Sequence, residues 1–382
     1  MKGIQKTKKT DVIVLGVGGM GSSACYHLAK KGLNVLGLEQ FSIPHDKGSS
    51  HGETRMIRKA YFEHPNYVPL LRRAYHLWDE LEEETGQKLF NRCGMILYAD
   101  ESSEVYNGTL RSSEEHQLPL EKMSADEAMK KWPAYKPFEH HSVLFEPAAG
   151  FLYSEKIISA YVSLAREKGA VIRENQEVID FFPAGEGVAV QTKAETFYAD
   201  KLVITAGAWS VSVLKELKIP FHLLRKNLSW HTAGKEHSAE NGTPAAFFDL
   251  GENMFYMFPS VNVKGVKIGK HSGGEPINKP EEKQIKTPDR SFLQPIESFI
   301  ETHLPHASKK YCDFVSCIYT NTPDQNFLID HHPEHSQIVF ASGFSGHGFK
   351  FTSVIGEILA DLTTKEENEL LTDFLRLRTF DA

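Results

Sequence analysis

Cysteine is scarce: the 382 residues hold four, Cys25, Cys93, Cys312 and Cys317, too few and too scattered for a disulfide framework. No leader with an apolar core opens the sequence, and the closing "RTFDA" is not a peroxisomal address. A reducing cytoplasm is therefore the expected compartment. No apolar run reaches membrane-spanning length, so no membrane partner is expected. Positive charge is not in excess either. The formal net charge is −7, with both signs spread along the chain, which excludes the basic stripe of a nucleic-acid binder and speaks only to solubility. There is no internal repeat and no low-complexity tract. The basic opening "MKGIQKTKKT" reads as a frayed terminus. What remains is a globular chain, 41% hydrophobic, whose length suits two domains of ordinary size that can be interleaved in sequence.

The pattern that is present begins at once. "DVIVLGVGGMGSSACYHLAKKGLNVLGLEQF" (11–41) reads as strand, glycine turn, helix, strand. Val12 to Leu15 is an unbroken apolar run, as a strand buried on both faces requires, and Met20, Ala24 and Leu28 recur at helical spacing. Gly16, Gly18 and Gly21 form G-x-G-x-x-G on the turn, and Glu39 ends the second strand. The first glycine makes the turn, the second admits a pyrophosphate, and the third lets helix meet strand; the acid accepts from ribose hydroxyls. This motif alone leaves FAD and NAD open, and a second fingerprint is absent, so one dinucleotide is expected. "KLVITAGAWS" (201–210) and "QIVFASGFSG" (337–346) read as further parallel strands of the same sheet, and 154–172 as a helix and strand feeding it. The segment 216–320 is different, with short aromatic and β-branched runs broken by Gly, Asn and Pro, and predicts antiparallel strands. Within 95–145, "KMSADEAMKKWP" predicts one capped helix.

Several side chains are placed by alternation. In "VSCIYT", Val315, Cys317 and Tyr319 share one strand face. In "KGVKIGKH", Val266 and Ile268 face one way and Lys267 and His271 the other, with Gly269 leaving room between them. A cavity face and a solvated surface strand both fit that pattern. Cys317 by itself reads as a small buried hydrophobe. "GSSHGETRMIRKAY" sets His51, Arg55 and Arg58 in a loop; if the loop turns helical, both guanidiniums face one way and suit bidentate carboxylate capture, the alternative being surface ion pairs. Cys312 and Cys317 lack a second pair for a metal set; the "HHPEH" run (His331, His332, His335) has the ligand types for a metal but fits a solvated loop better, so no metal is expected. The nucleophile elbow and the P-loop are both missed by spacing.

Taken together, "GSSHGETRMIRKAY", "CIYTNTPDQNFLIDHHPEHS", "GFSGHGFKF" and the N-terminal fingerprint resemble the monomeric sarcosine oxidase family of FAD-dependent amine oxidases, which includes N-methyltryptophan oxidase. The resemblance implies an α/β fold of the D-amino-acid-oxidase and glucose-methanol-choline type: a Rossmann-like FAD-binding domain interleaved with a second domain on a mainly antiparallel sheet. It draws the FAD-binding domain as 8–92, 146–215 and 321–382 and the substrate domain as 93–145 and 216–320. It further implies FAD joined covalently through Cys317, O2 activation by Lys267, and carboxylate binding by Arg58 and Lys350. Tyr256, His271 and Tyr319 surround the substrate amine in this reading, and His51 and Arg55 lie beside the flavin ring. The backbone at Gly346, His347 and Gly348 passes close to the cofactor at the start of a helix whose dipole favours the reduced ring's negative charge.

Phe247 stands where the sarcosine enzyme has a methionine. "KIGKHSGG" is nearer to the N-methyltryptophan wording and "CIYT" to the sarcosine one, while fructosyl-amino-acid oxidases share the framework. The expected partners are accordingly a small N-substituted amino acid and O2, and the family's name implies a monomer. Two other classes carry the same glycine turn: a nicotinamide-dependent dehydrogenase, which would be colourless, and a non-catalytic flavoprotein, which no amine would bleach.

Overall fold

A computed structural model describes residues 10–365 and 368–380; residues 1–9, in the stretch expected to be a frayed terminus, lie outside them. The chain divides into two compact units, one of Met1–His51, Ser154–Leu223 and Tyr319–Ala382, the other of Gly52–Tyr153 and Leu224–Ile318.

The first unit is built on the opening βαβ. Strand Thr10–Leu15 lies parallel between Val35–Leu38 and Thr196–Ile204, with Val12 opposite Val35 on one side and Lys201 on the other. Ile338–Ser342 joins Thr196–Ile204 in parallel, and Val171–Arg173 joins Val35–Leu38. The three segments read as further strands of one sheet thus meet in it. Two antiparallel additions, the hairpin Val178–Thr192 and the strand Leu328–His331, complete eight strands among the described residues. Ile13, Leu15, Leu36, Leu38, Ile204, Ile338 and Phe340 form part of the core. Helix Gly19–Lys30 packs against Ser154–Glu167 and Thr352–Thr364. Gly356 sits where the last of these crosses it, since a Cβ there would strike Ser23.

The second unit carries, among the described residues, a nine-stranded and mainly antiparallel sheet and a three-stranded one. In the large sheet Val266–Lys270 lies between His222–Ala233 and Asn253–Phe258, and Ala245–Leu250 pairs antiparallel with the latter and parallel with Met95–Ala99. Alternation sorts its two faces. Phe248, Phe255, Met257, Val266 and Ile268 pack on Ile296, Phe299 and Ile300 of helix Arg290–His303 to form the core. Every intervening residue therefore points the other way, and that is the face carrying Phe247, Tyr256, Phe258, Lys267 and Gly269.

In the small sheet Thr54–Ile57 pairs with Gly150–Tyr153, which also pairs with Phe90–Asn91. These ladders draw 52–92 into the second unit. The capped helix is present as Ala125–Lys131, with Ser124 and Glu127 closing a reciprocal capping box.

Candidate active site

In the first unit the glycine turn follows strand Thr10–Leu15. Gly16 has φ +87°, and the Thr205 hydroxyl donates to its carbonyl at 2.7 Å. Gly21 is forced, because a Cβ would overlap the Gly16 carbonyl oxygen. At Gly18, the N-cap of helix Gly19–Lys30, the opposite holds: the place a side chain would take is open and no side chain caps the helix. A helix start with bare N–H groups and open space in front of it is what a pyrophosphate needs. Glu39 is buried, and its carboxylate accepts from the N–H of Val17 at 2.8 Å and of Phe41 at 3.1 Å. Its Oε1 also faces His45 Nε2 at 3.4 Å, whereas Oε2, which accepts from Val17, keeps capacity for a ribose hydroxyl. The residues present therefore fit a dinucleotide. Gly21→Ala is expected to destabilise this unit by about 2–4 kcal/mol and to lower bound nucleotide, read by thermal unfolding and by absorbance of the purified protein.

The same unit holds "GFSGHGFKF". Gly346 has φ +79°, and the Tyr319 ring fills the space its Cβ would need; the Phe344 ring does the same at Gly348. His347 stacks near Phe327, with ring centroids 4.7 Å apart, and its Nε2 lies 3.0 Å from the Gln325 carbonyl. Lys350 is buried and donates to the His347 carbonyl at 2.7 Å. A 3-10 turn, Phe349–Phe351, precedes the helix proper. Near the glycine turn, a Cβ on Gly19 would touch Ser50 and Phe349, so this segment and the end of "GSSH" both border the fingerprint. His51 is buried.

On the second unit's large sheet, the face turned away from helix Arg290–His303 carries a buried cation. Lys267, 2% exposed, donates to the carbonyls of Gly52 at 2.8 Å and Thr54 at 2.6 Å, and its Nζ is 4.1 Å from the Phe258 ring centre. Carbonyls and a π-face are what allow an ammonium to be buried. Cys317 clusters with Leu228, Trp230, Val315 and Tyr256, and the Arg55 guanidinium lies 3.8 Å from its sulfur. The loop does not turn helical at Arg55. Thr54–Ile57 is a strand, so Arg55 and Arg58 meet different partners instead of sharing a face.

Arg58 is buried between the rings of Tyr61 and Phe62, each 4.5 Å away, and pairs with Glu63 at 2.6 Å. Burial opposes its charge, but Glu63 and then Tyr61 more than offset this, and its pKa is raised. Behind it the Glu146 carboxylate takes the N–H groups of Lys59 and Ala60 at 2.8 and 2.9 Å. Burial pushes that carboxyl up, against the pull of the two donors and of Arg58. From Phe62 an aromatic row runs to Phe247 (5.7 Å), His271 (5.7 Å) and Tyr256 (6.4 Å). Gly269 leaves room for the Tyr256 ring, which a Cβ would strike.

The second unit thus brings Lys267, Cys317 and Arg55 together, and Arg58, Phe247, His271 and Tyr256 together. Glu63, Glu146, Phe62, Phe258 and Trp230 escape sequence reading. All but Glu63 matter through a partner on another strand or loop, and only Glu63, five residues after its partner Arg58, leaves a local trace. The histidine run gathers no ligand set: His332 and His335 stack at 4.8 Å, and His331 lies 3.2 Å from the Ser336 carbonyl. Among the described residues no group of three or more His, Cys, Asp or Glu is placed to hold a metal, and no helix is long and apolar enough to cross a membrane.

Residues 11–362 match the family model described as DAO, FAD dependent oxidoreductase. The chain is 38% identical over 375 residues to a monomeric sarcosine oxidase of Arthrobacter sp. (strain TE1826), covering 95% of each chain. It is 36% identical over 351 residues to an N-methyl-L-tryptophan oxidase of Yersinia pestis (strain Pestoides F), covering 92% of this chain and 94% of that one. Its fold is that of NikD, an unusual amino acid oxidase, with a TM-score of 0.85 at 20% identity over 97% of this chain and 98% of the other. The chain belongs to the FAD-dependent oxidoreductase family, and its fold is the family's FAD-binding α/β fold with an interleaved antiparallel sheet.

Proposed function

We propose that the protein is a cytoplasmic, monomeric, FAD-dependent oxidase of secondary N-methyl amino acids, with sarcosine as its substrate. The overall reaction is sarcosine, O2 and water to glycine, formaldehyde and H2O2. One observation carries this reading. The second unit collects a buried ammonium and a buried thiol next to a guanidinium, and, separately, a second buried guanidinium walled by aromatic rings.

Gly16, Gly18, Gly21 and Glu39 would hold the ADP half of FAD, and Gly346, His347, Gly348, Lys350, His51 and Arg55 the ring end, with Cys317 as the point of covalent attachment. Bound FAD supplies two-electron chemistry, taking a hydride equivalent from the carbon beside the amine nitrogen and returning the electrons to O2. Arg58 binds the substrate carboxylate, a role the resemblance divides between it and Lys350. It is already desolvated and braced by Glu146 through the neighbouring backbone, so little ordering remains for binding to cost. Tyr256, His271 and Tyr319 surround the amine. Apolar walls together with nearby cations disfavour an ammonium there, and only the neutral amine is oxidised. Lys267 places a fixed positive charge where negative charge develops on oxygen, and being held by two carbonyls it needs no reorganisation to do so.

The contacts of Phe247 with Phe62 on one side and His271 on the other favour a small N-substituent. That supports sarcosine over N-methyltryptophan and fructosyl-amino acids. A peroxide-release screen over sarcosine, N-methyltryptophan, pipecolate, proline and fructosyl-glycine tests it; sarcosine should give the highest kcat/KM, and peroxide from fructosyl-glycine or N-methyltryptophan alone would replace it with that reading. For the covalent link, acid precipitation should leave the colour in the wild-type pellet and release it from Cys317→Ser. Colour retained by the variant would place the attachment elsewhere.

A further inference from the structure

Lys226 is a buried cation that the proposed chemistry does not use. It lies on strand His222–Ala233, 3% exposed, and its Nζ donates to three consecutive carbonyls: His271 at 2.7 Å, Ser272 at 3.1 Å and Gly273 at 2.7 Å. Three successive carbonyls cannot converge on one point from a regular strand, whose carbonyls alternate in direction. The chain bends to allow it at Gly273 and Gly274, with φ +63° and +130°. Gly274 lies against the lysine's own stem, where a Cβ would sit 3.0 Å from Cδ. The backbone has been shaped around this side chain.

The turn so held begins at His271. Its N–H donates to the Met254 carbonyl at 2.7 Å, and the Ser272 hydroxyl accepts from the Met254 N–H at 3.1 Å. These two bonds anchor the turn to the strand bearing Tyr256, and Lys226 closes its remaining side. Burial, reinforced by the like charge of Lys270, pulls the Lys226 pKa down to about 7. A neutral amine has two N–H groups for three carbonyls, so the observed arrangement is that of the ammonium.

We propose that Lys226 is a positioning residue for substrate binding: its ammonium gathers the carbonyls of 271–273, fixing the turn and with it the seat of the His271 imidazole beside Phe247 and Tyr256. The catalytic part of this inference rests on the reading of His271 as a wall of the amine pocket; the structural part does not.

Hydrogen exchange of the flavin-loaded protein, followed by mass spectrometry, separates the two. In Lys226→Met the amides of 271–274 should exchange at least about tenfold faster, the opening of one local unit, while peptides of the first unit stay as in the wild type. Exchange unchanged at 271–274 overturns the clamp. In steady state with sarcosine, Lys226→Met should raise KM about tenfold and leave kcat within about threefold, and this loss should largely vanish in a His271→Ala background, as coupled residues require. A lower Tm with unchanged KM, or full additivity with His271→Ala, overturns the positioning role. If His271→Ala itself leaves KM unchanged, the pocket reading fails while the exchange result stands. Should Lys226→Met not fold, Lys226→Gln, with two donors for three carbonyls, carries the same expectations and the same refutations at reduced size.

Discussion

Lys267→Met is expected to slow reoxidation by O2 by about 10²–10³-fold, the size of losing one preorganised charged donor at a reacting oxygen. Anaerobic reduction by sarcosine should stay within about threefold of the wild type, since the ammonium is directed at developing charge on oxygen and not at the amine. The substitution also leaves the Gly52 and Thr54 carbonyls without the donor they share. Some loss of stability, about 1–3 kcal/mol, is therefore expected, and it must be measured separately by thermal unfolding. Stopped-flow mixing of the reduced protein with oxygenated buffer reads the main effect. A wild-type rate would remove Lys267 from the oxygen step, whatever happened to stability.

Arg58→Met carries the second large effect. A buried guanidinium bound to a carboxylate is worth about 2–5 kcal/mol when one partner is truncated, so the KM for sarcosine should rise by about 30-fold or more while kcat falls less. Part of the measured loss belongs to Glu63, which keeps a half-buried carboxylate after its 2.6 Å partner is gone. The double variant Arg58→Met, Glu63→Gln isolates that part. If its KM remains high, Arg58 binds substrate; if the KM returns to the wild-type value, Arg58 serves only to neutralise Glu63. Titration with a carboxylate inhibitor such as acetate gives the same separation without turnover.

How much of this the chain spells out locally depends on what each feature needs. The glycine turn is legible because its requirements are steric and sit within twenty-odd residues: Gly21 meets Gly16, and Glu39 reaches back to Val17. The two faces of Val266–Lys270 are legible for the same kind of reason, a strict two-residue period with one side apolar. The conformation of 54–58 is not. Arg55 and Arg58 have helical spacing, but Thr54–Ile57 is held extended by Gly150–Tyr153, nearly a hundred residues away, and a ladder of that range leaves no local signal. Glu146 and Lys226 are silent for a related reason: each is an ordinary charged residue in a strand, and its burial is decided by backbone groups of a remote loop. Gly346 and Gly348 announce a close approach, and in the fold the Tyr319 and Phe344 rings make one.

The most direct measurement is an anaerobic one. Purified protein should be yellow, and mixing it with sarcosine in the absence of oxygen should bleach the flavin band in a single turnover, with one formaldehyde formed per flavin and the colour restored, with H2O2, on admitting air. A yellow protein that no N-methyl amino acid bleaches, or a colourless one that binds a nicotinamide instead, would contradict the proposed activity.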